Sequence, residues 1–193
     1  EYYLSRECLY SEPERFFEFY RENMLYPYAE PNDGHYALAE LEENGKLKAV
    51  ITQNIDGLHC KAGNTHVMEL HGTIYKNTCT KCGARYDLDF LYEQPQVPRC
   101  PKCGAIVRPD VVLYGEPLDS YVYQKAEDEI AQADVLIVAG SSLMVTPAAS
   151  LIDCFEGEHL IIINYSSTPY DDMAEYVIHD SISDVLRELT EET

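Results

Sequence analysis

Short, continuous apolar runs recur along this chain, each cut off by polar or turn-forming residues. Residues 49–52, 67–70, 111–114, 135–139 and 160–163 have the length and β-branched content of strands buried on both faces. Helical patterns lie between them. Ser11-Glu12-Pro13-Glu14 offers a capping box, Ser11 with Glu14, and a first-turn proline. These signals predict a helix from Ser11 to about Leu25, with Phe16, Phe17, Phe19, Tyr20 and Met24 on a wide apolar face. A second helix is predicted from Asn32, carrying Tyr36, Ala37, Leu38 and Leu41 inward and ending at Gly45. Further helices are expected over 118–132, from Ala148, and over 181–189. Strands without polar alternation, separated by helices, imply an α/β fold: a Rossmann-like parallel sheet with helices on both faces.

Segment 76–108 breaks this pattern. It holds Cys79-x-x-Cys82 and Cys100-x-x-Cys103, each pair followed by Gly, with seventeen residues between them. Two such knuckles present four thiolates tetrahedrally, the donor set of a closed structural zinc site. One Zn2+ per chain is expected, worth on the order of 10 kcal/mol to a module too small for its own core. The segment has six Lys and Arg against three Asp and Glu, +3, whereas the other residues of this −20 chain carry −23. The expected organisation is therefore a Rossmann-like domain of 27–75 and 109–193, with a small zinc-ribbon and helical domain of 1–26 and 76–108.

The acidity argues against a nucleic-acid or membrane-surface binder, which needs clustered cations, and favours a basic partner. Seven cysteines, four of them in metal-type pairs, suit a reducing compartment. Cys8, Cys60 and Cys154 read as inert thiols. With 193 residues, 46% hydrophobic, no apolar run long enough to span a bilayer and no leader pattern, a cytoplasmic location is expected. Composition is silent on oligomeric state.

Candidate chemistry gathers where strands end. Gln53, Asn54, Asp56 and His59 follow the first apolar run, and His71-Gly72 follows the second. In open α/β sheets, ligands bind beyond the carboxyl ends of strands. Gly140-Ser141-Ser142-Leu143 follows another run and could offer backbone N–H groups and hydroxyls to a phosphate or ribose. Taken singly, each is also an ordinary turn former.

Read together, Gln53-Asn54-Ile55-Asp56-Gly57-Leu58-His59 and then Leu70-His71-Gly72 resemble the sirtuins, NAD-dependent protein-lysine deacylases, in their bacterial type. Gly140-Ser141-Ser142-Leu143 with Val145 and Pro147 resembles another segment of that family, as does Arg108-Pro109-Asp110-Val111-Val112-Leu113-Tyr114-Gly115-Glu116. The resemblance implies NAD+ as cosubstrate and an acetylated protein lysine as partner, with nicotinamide, O-acetyl-ADP-ribose and deacetylated protein as products. It implies that His71 takes a proton from a ribose hydroxyl, a task suited to imidazole, which titrates near neutrality. Asn54 and Asp56 would line the nicotinamide pocket and Gln53 would meet the ribose. Gly140, Ser141, Ser142, Asn164 and Ile182 would hold the rest of NAD. Val111, Val112, Tyr114 and Gly115 would bind the substrate as an added strand, with Tyr114 where the family usually has Phe. Family members that remove acidic acyl groups carry Tyr-x-x-Arg on the small-domain helix. Here Tyr20 is followed by Asn23, so acetyl is expected over succinyl, with Arg21 the nearest competing cation.

The family's opening strand, Gly-Ala-Gly-x-Ser turn and Gly-Ile-Pro-Asp-Phe-Arg segment have no counterpart in residues 1–10. The expectation is that they precede Glu1 in the full polypeptide, because a doubly wound sheet without an inner strand leaves backbone groups unpaired. Two alternatives stay open at this point: a noncatalytic zinc-ribbon binding module, and mono-ADP-ribosyl transfer.

Overall fold

The computed structural model describes residues 1–94 and 96–191; residues 95, 192 and 193, which the expected domain bounds span, lie outside the described residues. In chain order the helices are α1 (Arg6–Ser11), α2 (Pro13–Asn23), α3 (Asp33–Glu43), α4 (Leu58–Ala62), α5 (Leu88–Glu93), α6 (Ser120–Ala131) and α7 (Ile182–Glu191). The strands are β1 (Val50–Thr52), β2 (Val67–Glu69), β3 (Gly72–Cys79), β4 (Arg85–Tyr86), β5 (Val107–Val111), β6 (Val135–Ala139), β7 (His159–Ile163) and β8 (Tyr176–Ile178). Contacts divide the chain into two units. The first comprises Glu1–Ala29, Asn54–Gly57 and His71–Leu118; the second takes Glu30–Gln53, Leu58–Leu70 and the chain from Asp119 onward.

The second unit is the Rossmann-like part. β1 and β2 pair in parallel, and β6, β7 and β8 form a separate, all-parallel sheet in that order. Alternation along β6 and β7 sends side chains to opposite faces. Ile137, Ile161 and Ile163 pack with Ala37 of α3 and Leu186 of α7. Leu136, Val138, Leu160 and Ile162 meet Ala149 and Ile152 of the 3-10 helix Ala148–Cys154. Helices therefore cover both faces, and each fully buried isoleucine contributes about 1.5–3 kcal/mol. Asp119 caps α6 through the Tyr121 and Val122 N–H groups at 2.9 and 3.0 Å.

Asn32 caps α3 reciprocally with His35. Its side chain accepts the His35 N–H while His35 Nδ1 accepts the Asn32 N–H, each at 3.2 Å. On α3, Ala37 and Leu41 are buried as expected, but Tyr36 is half exposed, because 3.6-residue periodicity turns it off the face that Ala37 and Leu41 share. Near the end of α3, the Glu42 carboxylate accepts hydrogen bonds from Asn64 Nδ2 (2.7 Å), the Thr65 and His66 N–H groups (3.0 and 3.1 Å) and the Thr65 hydroxyl. These donors, the Thr65 hydroxyl first, hold its pKa down to about 2. This one side chain gathers donors from three successive residues of the loop entering β2.

In the first unit, β3 is the middle strand of an antiparallel sheet ordered β4-β3-β5. Its core joins Cys8 and Leu9 of α1, Phe16, Phe17 and Tyr20 of α2, Ile74, Val107 and Leu91, all at most 1% exposed. The helix predicted from Ser11 is two helices. Ser5 accepts the Cys8 N–H at 3.0 Å and starts α1, so Ser11 closes that helix, its hydroxyl donating to the Glu7 carbonyl. Pro13 then opens α2, with Glu12 as its N-cap. The strand expected over 111–114 is displaced to Val107–Val111. Residues 71–75 and 109–118, grouped from sequence with the Rossmann-like domain, fall in this unit because β3 runs unbroken from Gly72 into the cysteine module and pairs with β5 along both.

Candidate functional site

Within the first unit, His71 stands at the start of β3, and its place depends on the next residue. Gly72 has φ +76°, and a Cβ there would lie 2.0 Å from the Asp110 carbonyl oxygen. Only glycine lets β3 and β5 approach so closely. The approach pins the His71 backbone, whose carbonyl accepts the Val112 N–H at 2.9 Å. Asn54 and Asp56 belong to a turn tied to the same strand, since the Ile74 N–H donates to the Ile55 carbonyl at 3.1 Å.

Beyond β5 the chain stays extended. Tyr114 exchanges backbone bonds with the chain entering α1: its N–H donates to the Leu4 carbonyl at 3.1 Å and its carbonyl accepts the Arg6 N–H at 3.0 Å. The Val112 carbonyl has no acceptor role among the described residues, which leaves it open to an added strand. Tyr114 is half exposed and Val111 is buried. The segment is clasped by a pair that the sequence did not single out. Arg108 meets both carboxylate oxygens of Glu116 and donates to the Val111 carbonyl at 2.7 Å, and Glu116 also accepts the Leu113 N–H at 3.0 Å. Desolvation opposes the charge on Glu116, yet the Arg108 hydrogen bond holds its pKa below the ordinary value.

The four ribbon cysteines come together as their spacing implied. Their sulfur atoms all lie within 4.8 Å of one another, with Cys79 and Cys103 at 3.4 Å and Cys82 and Cys100 at 3.6 Å. The Cys82 N–H lowers the Cys79 pKa, and the Tyr86 hydroxyl, 3.1 Å from Cys100, brings that thiol to about 6. Although the Ala105 N–H pulls Cys103 down, the neighbouring thiols, Cys79 foremost, push it up to about 11. Four sulfurs this close need a cation before all can ionise, so the donor set fits structural zinc.

In the second unit, β6 gives way to Gly140, whose φ of +64° favours glycine and whose would-be Cβ would sit 2.6 Å from the flexible end of Ile182, Cδ1. Gln53 Nε2 lies 3.4 Å from Ser141 Oγ, which accepts the Leu143 N–H at 3.2 Å. Among the described residues, the Ser141 and Ser142 N–H groups have no protein acceptor. Asn164 follows β7, its N–H on the Ile178 carbonyl and its side chain on the Ser166 carbonyl at 2.7 Å. Free backbone donors, hydroxyls and a glycine turn at the carboxyl ends of parallel strands suit a dinucleotide. The predicted site residues thus divide. His71, Asn54, Asp56, Val111, Val112, Tyr114, Gly115 and the cysteines lie in the first unit; Gln53, Gly140, Ser141, Ser142, Asn164 and Ile182 lie in the second.

The Sir2 family model matches residues 1–147. An NAD-dependent protein deacetylase of Clostridium perfringens is 55% identical over 175 residues, covering 90% of this chain and 72% of its own length. One of Clostridium acetobutylicum is 52% identical over 187 residues, covering 96% and 76%. Among solved structures, Sir2 with a p53 peptide and NAD+ superposes with a TM-score of 0.92 at 38% identity, covering 98% of this chain and 81% of that one. Together these likenesses cover nearly the whole chain, and it belongs to the Sir2 family, the sirtuins.

Proposed function

We infer that this protein is an NAD-dependent protein-lysine deacetylase, releasing nicotinamide, O-acetyl-ADP-ribose and the deacetylated protein. What carries the inference is that relatives 50–55% identical bear that one activity as their name. NAD, when bound, supplies the ribose carbon that receives the acyl oxygen as nicotinamide leaves. The chain's own residues bind, orient and move a proton. Ser141 and Ser142 donate backbone N–H groups to phosphate or ribose oxygens beside Gly140, and Gln53 contacts the nicotinamide ribose. Asn164 takes the adenosine ribose, Ile182 the adenine, and Asn54 and Asp56 the nicotinamide. His71 removes the proton from a ribose hydroxyl so that the acyl group can migrate.

The acylated lysine enters on an extended peptide that adds as a strand along Val111, Val112 and Gly115. Its amide N–H goes to the Val112 carbonyl, and its stem lies on Tyr114. No step uses the zinc, which holds the ribbon. The acyl preference is read from the polar side chains near Tyr20. Asn23 is uncharged and gives its side-chain N–H to the Phe19 carbonyl at 2.9 Å, while Arg21 turns Nη2 to the Gln94 and Gln96 carbonyls. Asn23 thus puts no cation where the family members that remove acidic acyl groups carry arginine, and Arg21 is anchored toward the Gln94 and Gln96 carbonyls, which supports acetyl over succinyl. A cytoplasmic location is part of the same reading, since none of the seven cysteines is in a disulfide and four form the metal-type cluster. Independently, no described helix is long and apolar enough to cross a membrane.

The test is nicotinamide release from NAD with and without an acetyl-lysine peptide, beside His71→Ala. Release should require the peptide and fall by about a hundredfold or more in the variant. Peptide-independent release, or an unchanged variant, would overturn the reading.

A further inference from the structure

Tyr75 has no part in the reaction derived above, yet β3 is deformed around it. Thr73 faces Asp110 and Asn77 faces Pro109, so Ile74, Tyr75 and Lys76 have no counterparts on β5 and form a bulge. Asn77, fully buried, closes the bulge by donating to the Asp87 carbonyl at 3.0 Å. The Tyr75 N–H turns back to the Thr73 hydroxyl at 3.4 Å, and the Ile74 N–H goes to the Ile55 carbonyl.

The bulge carries the Tyr75 ring onto Gly57. A Cβ at residue 57 would lie 2.7 Å from ring Cε2 and 3.1 Å from Cδ2, and Gly57 has φ +68°. The ring occupies the space that any side chain at 57 would need. Gly57 ends the turn that contains Asn54 and Asp56, and the ties between this turn and β3 include the Ile74 to Ile55 backbone bond and this aromatic face. Tyr75 is 40% exposed, more than a residue kept for core packing.

We propose that Tyr75 is a positioning residue: its ring, seated on Gly57, fixes the 54–57 turn and through it the grip of Asn54 and Asp56 on nicotinamide. The proposal rests on the assignment of that turn to the nicotinamide end of NAD. A ring face does the holding, so phenylalanine should serve as well as tyrosine, and a side chain at 57 should displace the ring.

The experiment compares the full chain with Tyr75→Ala, Tyr75→Phe and Gly57→Ala. It reads amide hydrogen exchange over 54–57, calorimetric NAD binding, the nicotinamide concentration that halves deacetylation, the peptide KM and the thermal midpoint. Tyr75→Ala and Gly57→Ala should exchange faster over 54–57 and lose about tenfold in NAD affinity and in sensitivity to nicotinamide. The peptide KM and thermal midpoint should move little, and Tyr75→Phe should match the parent. Unchanged exchange in Tyr75→Ala overturns the proposal, as does a Tyr75→Phe variant as impaired as Tyr75→Ala. A parallel loss of peptide binding and thermal stability also overturns it, because that marks a merely structural role. If exchange rises but NAD affinity and nicotinamide sensitivity stay at parent values, the ring holds the turn and the nicotinamide assignment is what fails, taking the functional half of the proposal with it.

Discussion

Gly72→Ala isolates the geometric reason for a glycine after His71. Two costs add. A side chain at φ +76° sits in the left-handed region, about 1–2 kcal/mol for an L-residue. The new methyl would also stand 2.0 Å from the Asp110 carbonyl oxygen, with the Asp110 carbonyl carbon at 3.0 Å and Val111 Cα at 3.3 Å. All three are backbone atoms of β5, so relief requires the strands to part. Overpacking of this kind costs about 1–3 kcal/mol. Parting also strains the Val112 N–H to His71 carbonyl bond, about 0.5–1.5 kcal/mol more. The total, about 2.5–6.5 kcal/mol, at its upper end rivals the whole stability of an ordinary domain. Gly115 is the control, with φ +85° and nothing within 4 Å of its would-be Cβ, so Gly115→Ala bears the conformational cost alone. Urea unfolding of both variants should separate them by about 1.5–4.5 kcal/mol, the sum of the overpacking and hydrogen-bond terms. Equal losses would refute the argument that close backbone approach, and not φ alone, excludes a side chain at 72.

Other expectations concern the ribbon, the Glu42 hub and the acyl group. Chelation, or Cys82→Ser, should release one zinc per chain and lower the thermal midpoint, because the four thiols are the ribbon's own closure; metal analysis alongside a melting curve checks this. Glu42→Gln should cost about 1.5–3 kcal/mol at neutral pH by weakening charge-assisted bonds. The folded pKa of Glu42 is lowered to about 2 from 4.5, so its contribution is complete above the higher value and fades as pH falls through the lower one. Stability curves of parent and variant should therefore converge in acid, and parallel curves would refute the role. Acetyl peptides should exceed succinyl peptides by about tenfold or more in kcat/KM, since a desolvated carboxylate would lack a cation. Equal rates would count against that assignment of the Asn23 position.

Much of the second unit was legible because its signals are local. Apolar runs at 135–139 and 160–163 became β6 and β7, and Asn32 lies next to the helix it caps. Where two local signals compete, the pattern fails. Ser5 and Ser11 both resemble caps, and tertiary packing of Cys8 and Leu9 favours the first, making Ser11 a helix terminus. β3 could not be foreseen, since its bulge breaks the alternation that marks a half-buried strand. β8 is three residues, too short for periodicity to register. The site divides in the same way. The cysteine spacing carries its own geometry, so the ribbon was readable from the chain. The Arg108 to Glu116 clasp, the Glu42 hub and the seat of Tyr75 on Gly57 each join a residue to partners that no window around it contains. The Leu-His-Gly string shows why recognising a motif and explaining it differ. Its glycine is required by the carbonyl of Asp110, thirty-eight positions further along, and that requirement exists only once β3 and β5 are paired.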